Sequence, residues 1–282
     1  MRSKEDMLRL ITEVARQDGR IKAAVLSGSR ADPDATEDIF QDFDVVYYVD
    51  DVAPFYDNMD WIEERFGRPA VCQRPESMEL PGLEPDGDGH FTCLMLFDDH
   101  NRIDLTVDSR AYIHDGEPAE VLLDKCGCLP EIRPDPAHWH VRRPGEKQFR
   151  DCCNEFWWCL NNVGKGMARD ERPYAMKMFN CPVRDMLDLM TGWYIGVLTG
   201  FSVSPGKLGK YFSRHLPKSV YEEYLSTYSD ADPERFNAAV ERACGLFGRL
   251  ARETAEGLGF EYDLREEENT REYLRWARQA RE

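Results

Sequence analysis

Apolar residues recur at helical spacing in the opening stretch of the chain. Met7, Leu10, Ile11 and Val14 fall on one face of a predicted helix over 3–17, and Ser3 with Asp6 forms a capping pattern at its start. The rhythm then shortens. Ala23 to Ser27 is an apolar run halted by Gly28-Ser29-Arg30, and Asp42 to Val49 has the β-branched and aromatic content of a strand. Between them, 31–41 is polar, contains Pro33 and reads as a loop. Asp60 to Phe66 predicts a short helix, and 74–90, with three Pro and three Gly, a second loop. Phe91 to Phe97 and Arg102 to Val107 are two further strands, joined by the turn-like Asp98-Asp99-His100-Asn101.

Beyond Pro144 the strand pattern disappears. The stretch 146–163 is rich in aromatics without alternation, and 174–199, 217–228 and 233–257 predict helices. In the last, Asp232 stands at the N-cap and Pro233 at the first helical position, ahead of a stripe of Phe236, Ala239, Val240, Ala243, Phe247 and Leu250. A strongly charged helix over about 267–281 closes the chain and reads as a solvated face. The expected architecture is α+β: a mixed sheet-and-helix domain over 1–143, then a helical domain over 144–282.

Composition narrows the class. A hydrophobic fraction of 42% suffices for a buried core, and no apolar run reaches the ~18 residues of a membrane span. The charged start Arg2 to Asp6 is unlike a signal peptide, so a soluble cytoplasmic protein without membrane partners is expected, with a monomer favoured. Nine cysteines, with no CxxC pair, read as reduced thiols; Cys126, Cys128, His138 and His140 match no familiar zinc framework. The formal charge is −17, and 31–60 carries ten Asp or Glu with no Lys or Arg. Such a balance disfavours nucleic acid, whose grip depends on neutralising phosphates, and suits metal ions or a polycationic substrate.

The chemistry gathers in Gly28-Ser29, Asp42, Asp44 and Asp104. Residues i and i+2 on a strand face the same way, so Asp42 and Asp44 project side by side. Crowded carboxylates repel unless a cation lies between them, and Mg²⁺ takes carboxylates together with substrate phosphates. Asp104 faces opposite to Ile103, Leu105 and Val107 on another predicted strand. If the two strands are neighbours, a third carboxylate completes a two-ion site of the kind that clamps both oxygens of an in-line displacement. A strand ending in Gly-Ser offers backbone N–H groups and a hydroxyl to phosphate oxygens.

The segments LSGSRA (26–31) and FQDFDVVYYVDD (40–51) resemble the nucleotidyltransferase superfamily. With LMLFDDHNRIDLT (94–106), WHVRRPGEKQFRDCCNEFWW (139–158) and YLSTY (224–228), the chain is more narrowly similar to the aminoglycoside 6-adenylyltransferases, also called streptomycin adenylyltransferases. The resemblance implies a polymerase-β-like nucleotidyltransferase domain followed by a C-terminal helical bundle. It also implies AMP transfer from Mg²⁺·ATP to the 6-position hydroxyl of the streptidine ring of streptomycin, release of pyrophosphate, and antibiotic resistance. Asp42, Asp44 and Asp104 take the metal-ligand and catalytic positions of the superfamily motif, with Asp104 as candidate base. Gly28 and Ser29 take the phosphate-loop positions, with Arg30, Lys165, Lys207 and Lys210 as candidate contacts to the nucleotide.

For the acceptor, Asp151 and Glu155 lie four apart on one helical face beside Trp157 and Trp158. Carboxylates and aromatic faces both suit a guanidinium-bearing substrate, although at least one of these tryptophans is expected in the core. Three other readings are open: a nucleotidyltransferase fold acting on a different small molecule, an RNA or a protein; a non-catalytic binding module; and a structural protein whose acidic stretch 31–60 only solvates, which leaves the order of Gly-Ser and the three aspartates a coincidence. The acidic charge weighs against RNA, and the complete set of three aspartates against the module.

Overall fold

The computed structural model describes residues 1–280 apart from 34, 81–88, 111, 113, 114 and 136. The chain divides into two compact units, Met1–His138 and Trp139–Glu282. The centre of the expected loop 74–90, and the expected helix end at 281, lie outside the described residues.

The first unit is built on α1 (Lys4–Gln17) and a six-stranded mixed sheet. The Ser3 hydroxyl accepts from the Asp6 N–H while the Asp6 carboxylate accepts from the Ser3 N–H, the reciprocal capping expected from sequence. The strands are β1 (Ile21–Ser27), β2 (Phe43–Val49), β3 (Val71–Gln73), β4 (His90–Leu96), β5 (Arg102–Asp108) and β6 (Glu120–Asp124), in the spatial order β3-β4-β5-β2-β1-β6. Only β2 and β5 run parallel; every other pair is antiparallel. Two short helices, α2 (Ala53–Tyr56) and α3 (Asp60–Phe66), follow β2.

Alternation sorts each central strand into a buried and a polar face. Phe43, Val45 and Tyr47 of β2 join Ile103, Leu105 and Val107 of β5 and Met7, Ile11 and Val14 of α1 in one core. Each such side chain contributes roughly 1.5–3 kcal/mol by leaving water. The Tyr47 hydroxyl, buried in this core, donates to the Ile11 carbonyl at 2.6 Å and so ties strand to helix. The alternate positions, Asp44 on β2 and Asp104 on β5, are thereby turned to the other face.

Sequence reading did not find β3 or β6. Both are short edge strands; β6 carries only the brief apolar run Val121-Leu122-Leu123, of which Leu122 and Leu123 pack on the core, and it pairs with β1 across a bulge.

The second unit is all helical: α4 (Glu146–Ala168), α5 (Arg172–Met178), α6 (Arg184–Thr199), α7 (Phe212–His215), α8 (Lys218–Leu225), α9 (Pro233–Leu258) and α10 (Leu264–Gln279). Its core stacks Phe156 of α4 on Phe247 of α9, with ring centroids 3.7 Å apart. The helix expected over 174–199 is divided. A π-helical turn, Phe179–Val183, separates α5 from α6, and Pro182 within it cannot donate to the helical ladder. Asp232 caps α9 by accepting from the Arg235 N–H, as its position before Pro233 predicted. Among the described residues no helix is long and apolar enough to cross a membrane.

Candidate active site

Strand register assembles the acidic centre. In the parallel β2–β5 ladder Asp44 lies directly opposite Asp104, and on the other side of β2 it pairs with Ser27, the last residue of β1. Side chains directly opposite on neighbouring strands are each other's closest cross-strand partners. Asp42 sits one residue ahead of β2, where the strand expected from Asp42 starts at Phe43 instead. The condition set by the sequence, that the two aspartate strands be neighbours, is met.

Gly28 and Ser29 open the 3₁₀ turn Gly28–Arg30 that ends β1, beside Asp44. Gly28 has φ +68°, and a Cβ placed on it would lie 2.1 Å from Asp44 Oδ2. Glycine is required twice over here, by the left-handed backbone and by the carboxylate occupying the space of a side chain. Arg30 is engaged with the chain itself. Its Nε donates to the Asp42 carbonyl at 2.9 Å and its Nη2 to the Gln41 carbonyl at 2.6 Å, and its guanidinium lies 3.8 Å over the Phe43 ring. Gln41 Nε2 completes the brace by donating to the Ser29 carbonyl at 2.9 Å. These bonds fasten the Gly-Ser turn to the entry of β2, and so fix where its N–H groups stand relative to Asp42 and Asp44.

The carboxylates are electrostatically frustrated. Burial, then the neighbouring charges of Asp104 and Asp42, push Asp44 up to about 6. Asp42 is also raised, chiefly by burial, with Asp104 adding to it and Arg102 opposing. Arg102 supplies compensation that the sequence reading had missed. It grips Asp104 with two bonds of 2.7 Å, from Nε and Nη2, and its Nη1 lies 3.4 Å from Asp42. The signal was available: Arg102 and Asp104 are two apart on one strand and therefore share a face.

The donor set suits a hard dication. It consists of carboxylate oxygens, crowded enough that two of them resist ionising, and already drawing in a cation. With Arg102 holding Asp104 and Asp42, the three carboxylates do not close to within 4.8 Å of one another. A metal ion taken up by these carboxylates would compete with the Arg102 pairs.

In the helical unit the residues singled out from sequence part company. Trp157 is a core residue, 2% exposed, edge-on to Phe247 and donating from Nε1 to the Tyr262 hydroxyl at 3.1 Å. Trp158 is 65% exposed and shows a face to solvent. Helical spacing carried this distinction, because Phe149, Phe156, Trp157, Leu160 and Val163 make one buried stripe that Trp158 does not join. Asp151 pairs with Lys147 one turn earlier, and Glu155 accepts from the Cys159 thiol at 3.2 Å. Asp151 also lines a cavity of about 500 Å³ that it shares with the carboxylates of Glu261, Asp263 and Glu266 and the ring of Tyr262. Lys165 is half-buried on α4, while Lys207 and Lys210 are exposed near the turn Lys207–Gly209.

Residues 1–277 match the family model described as streptomycin adenylyltransferase. Among curated proteins the chain is 35% identical over 268 residues to an aminoglycoside 6-adenylyltransferase of Bacillus subtilis (strain 168), covering 93% of each chain. It is 34% identical to one from Campylobacter jejuni, over 95% of this chain and 93% of that one, and 33% identical to one from Staphylococcus aureus, over 88% and 89%. A crystal structure of an aminoglycoside 6-adenyltransferase from Bacillus subtilis shares 32% identity over 98% of this chain and 99% of that one, with a TM-score of 0.49. The sequence matches, rather than that superposition, make the protein a nucleotidyl-transferring enzyme. Covered almost from end to end, the chain belongs to the streptomycin adenylyltransferase family.

Proposed function

We propose that the enzyme transfers AMP from Mg²⁺·ATP to a hydroxyl of a cationic aminoglycoside, the 6-position of the streptidine ring of streptomycin, and thereby inactivates the antibiotic. The observation that carries the reading is the row Ser27–Asp44–Asp104 across three adjacent strands, with Gly28 packed so closely on Asp44 that no side chain fits between them. The names of the relatives supply the acceptor class. The acidic surface supports a polycation over a nucleic acid.

Asp42, Asp44 and Asp104 are the residues that hold the magnesium in this reading. When bound, it neutralises phosphate charge and polarises the phosphoryl group under attack. The N–H groups of the Gly28–Ser29 turn and the Ser29 hydroxyl orient the triphosphate, with Arg30 bracing that turn rather than touching phosphate itself. Asp104 accepts the proton of the antibiotic hydroxyl. The oxygen bonds to the α-phosphorus as the bond from that phosphorus to the bridging oxygen breaks, and pyrophosphate leaves with the electron pair. Arg102, which grips Asp104 and reaches Asp42, holds positive charge at the carboxylates where the triphosphate would lie. Lys165, Lys207 and Lys210 add positive charge for the triphosphate. Asp151, Glu155 and Trp158 receive the guanidinium groups of the acceptor by charge-assisted bonds and ring contact; Trp157, in the core, is left out.

The test is pyrophosphate release from Mg²⁺·ATP with streptomycin, with other aminoglycosides and with none. Release that requires streptomycin supports the reading. Release with another aminoglycoside but not with streptomycin moves the acceptor, and no release with any aminoglycoside overturns the proposal.

A further inference from the structure

The first unit contains a second cluster of ligand-type side chains, separate from the three aspartates. Among the described residues, only Asp124, Cys126 and Cys128 bring three such atoms within 4.8 Å of one another. Asp124 ends β6, and the chain after it coils round its carboxylate. Asp124 Oδ1 accepts from the N–H groups of Cys126 and Cys128, each at 3.2 Å, and Oδ2 accepts from Leu129 N–H at 3.1 Å. Both thiols point at the same oxygen, with Cys126 Sγ at 3.8 Å and Cys128 Sγ at 3.7 Å from Oδ1. Gly127, at φ +63°, takes the left-handed step that returns the second sulfur to the first.

We propose that Asp124, Cys126 and Cys128 form a binding site for a thiophilic divalent ion, Zn²⁺ or Cd²⁺, whose remaining coordination is completed by water. Two sulfurs and one carboxylate oxygen give a donor set that selects Zn²⁺ or Cd²⁺ over Mg²⁺. Four N–H and S–H bonds already converge on Asp124 Oδ1 and a fifth holds Oδ2, so little ordering remains to be done when the ion arrives. Cys126 and Cys128 are both exposed, which leaves the ion a route in and a place for solvent. His138 and His140, whose spacing from these cysteines matches no familiar zinc framework, are not in the cluster.

The site is remote from the aspartate centre within the same sheet. Asp124 pairs with Ala23 near the start of β1, whereas Gly28 follows the end of that strand. Five residues of extended chain separate the two points, ~16 Å at 3.3 Å per residue. An ion here therefore clips the loop after the edge strand β6 to the sheet, and does not take part in phosphoryl transfer. The inference is independent of the proposed reaction.

The test uses the full chain, kept reduced with a phosphine, and titrates Cd²⁺ while following thiolate-to-cadmium charge-transfer absorption in the ultraviolet. The expected result is one saturable site per chain that millimolar Mg²⁺ does not displace. Cys126→Ser and Cys128→Ser should each halve the absorption and weaken binding by about tenfold or more, and Asp124→Asn, whose amide oxygen can keep the loop's hydrogen bonds, should weaken it about tenfold with the absorption retained. Zn²⁺ should raise the melting temperature of the parent chain but not of the Cys126→Ser, Cys128→Ser double variant. Wild-type absorption in that double variant, or its loss in Cys72→Ser instead, overturns the proposal. So does the absence of saturable binding in the parent.

Discussion

The strand site of the first unit and the α4 surface of the second place carboxylates under opposite conditions. Asp44 and Asp104 are brought face to face by backbone register, partly desolvated, and mutually repelled until a cation intervenes. Asp151 and Glu155 are exposed, one turn apart on a helix, with a lysine and a thiol as their neighbours. Geometry in the first case is set by the register of β2 against β5. In the second it is set by rotamers in water. In the proposed function the former suits the transfer step, since a reacting group misplaced by an ångström loses much of its effect, and the latter suits looser docking of a cationic acceptor.

The sharpest way to break this contrast is Asp44→Asn. It should lower streptomycin-dependent pyrophosphate release about 10³-fold while leaving the fold unchanged by circular dichroism, because a charge is removed and no packing. Near-normal turnover would show that the strand site is not the catalytic one. Gly28→Ala should come next. The new methyl meets Asp44 Oδ2 and the backbone sits at φ +68°, so a loss of about 1–3 kcal/mol of stability and ~10²-fold of activity is expected, read by urea melts and the same assay.

A third expectation concerns pH in the absence of metal. Asp44 is raised to about 6 when folded, against 3.8 for its ordinary value, so the folded chain binds this proton more tightly than the unfolded one. The stability it costs is fully present above about pH 6 and is relieved as pH falls towards 4. After allowance for its partial exposure, Asp44→Asn should be more stable than the parent by about 1–2 kcal/mol at neutral pH, with the gap closing at acid pH. Urea melts of both chains in chelator, across this range, measure the gap directly; a gap that grows on acidification would contradict the burial of Asp44. The smallest effect belongs to the helix face. Glu155→Gln should raise the KM for antibiotic roughly 2- to 5-fold, the worth of an exposed ion pair, with the KM for ATP unmoved. A larger rise would mean that the α4 surface is more enclosed than the contrast supposes.

Much of this was legible in the chain before its structure. Alternation through Phe43 to Val49 and Arg102 to Asp108 sends Asp44 and Asp104 to the polar side, and the local signals at Ser3, Asp6, Asp232 and Pro233 mark helix starts directly. What escaped depends on partners distant in sequence. No local pattern says that Asp44 pairs with Asp104, or that Glu120–Asp124 finds a place at the edge beside β1. The close approach of Gly28 to Asp44 is likewise visible only once β1 and β2 are paired. Arg102 and Trp158 differ from these: spacing alone puts Arg102 on the face of Asp104 and Trp158 off the buried stripe of α4.

The parallel pairing of β2 with β5 also bears on how the enzyme comes into being. The two aspartates that face each other are sixty positions apart, 44 and 104, and among the described residues α2, α3, β3 and β4 intervene. Contacts of such separation form slowly, because the chain must be ordered before they reward it. During synthesis the Gly-Ser turn and the first two aspartates leave the ribosome well before their partner strand does. Asp44 and Asp104 therefore meet only when β5 pairs with β2, and the same pairing brings Ile103, Leu105 and Val107 into the core beside Tyr47 and Ile11, so the burial that completes the interior arrives together with the repulsion it must offset.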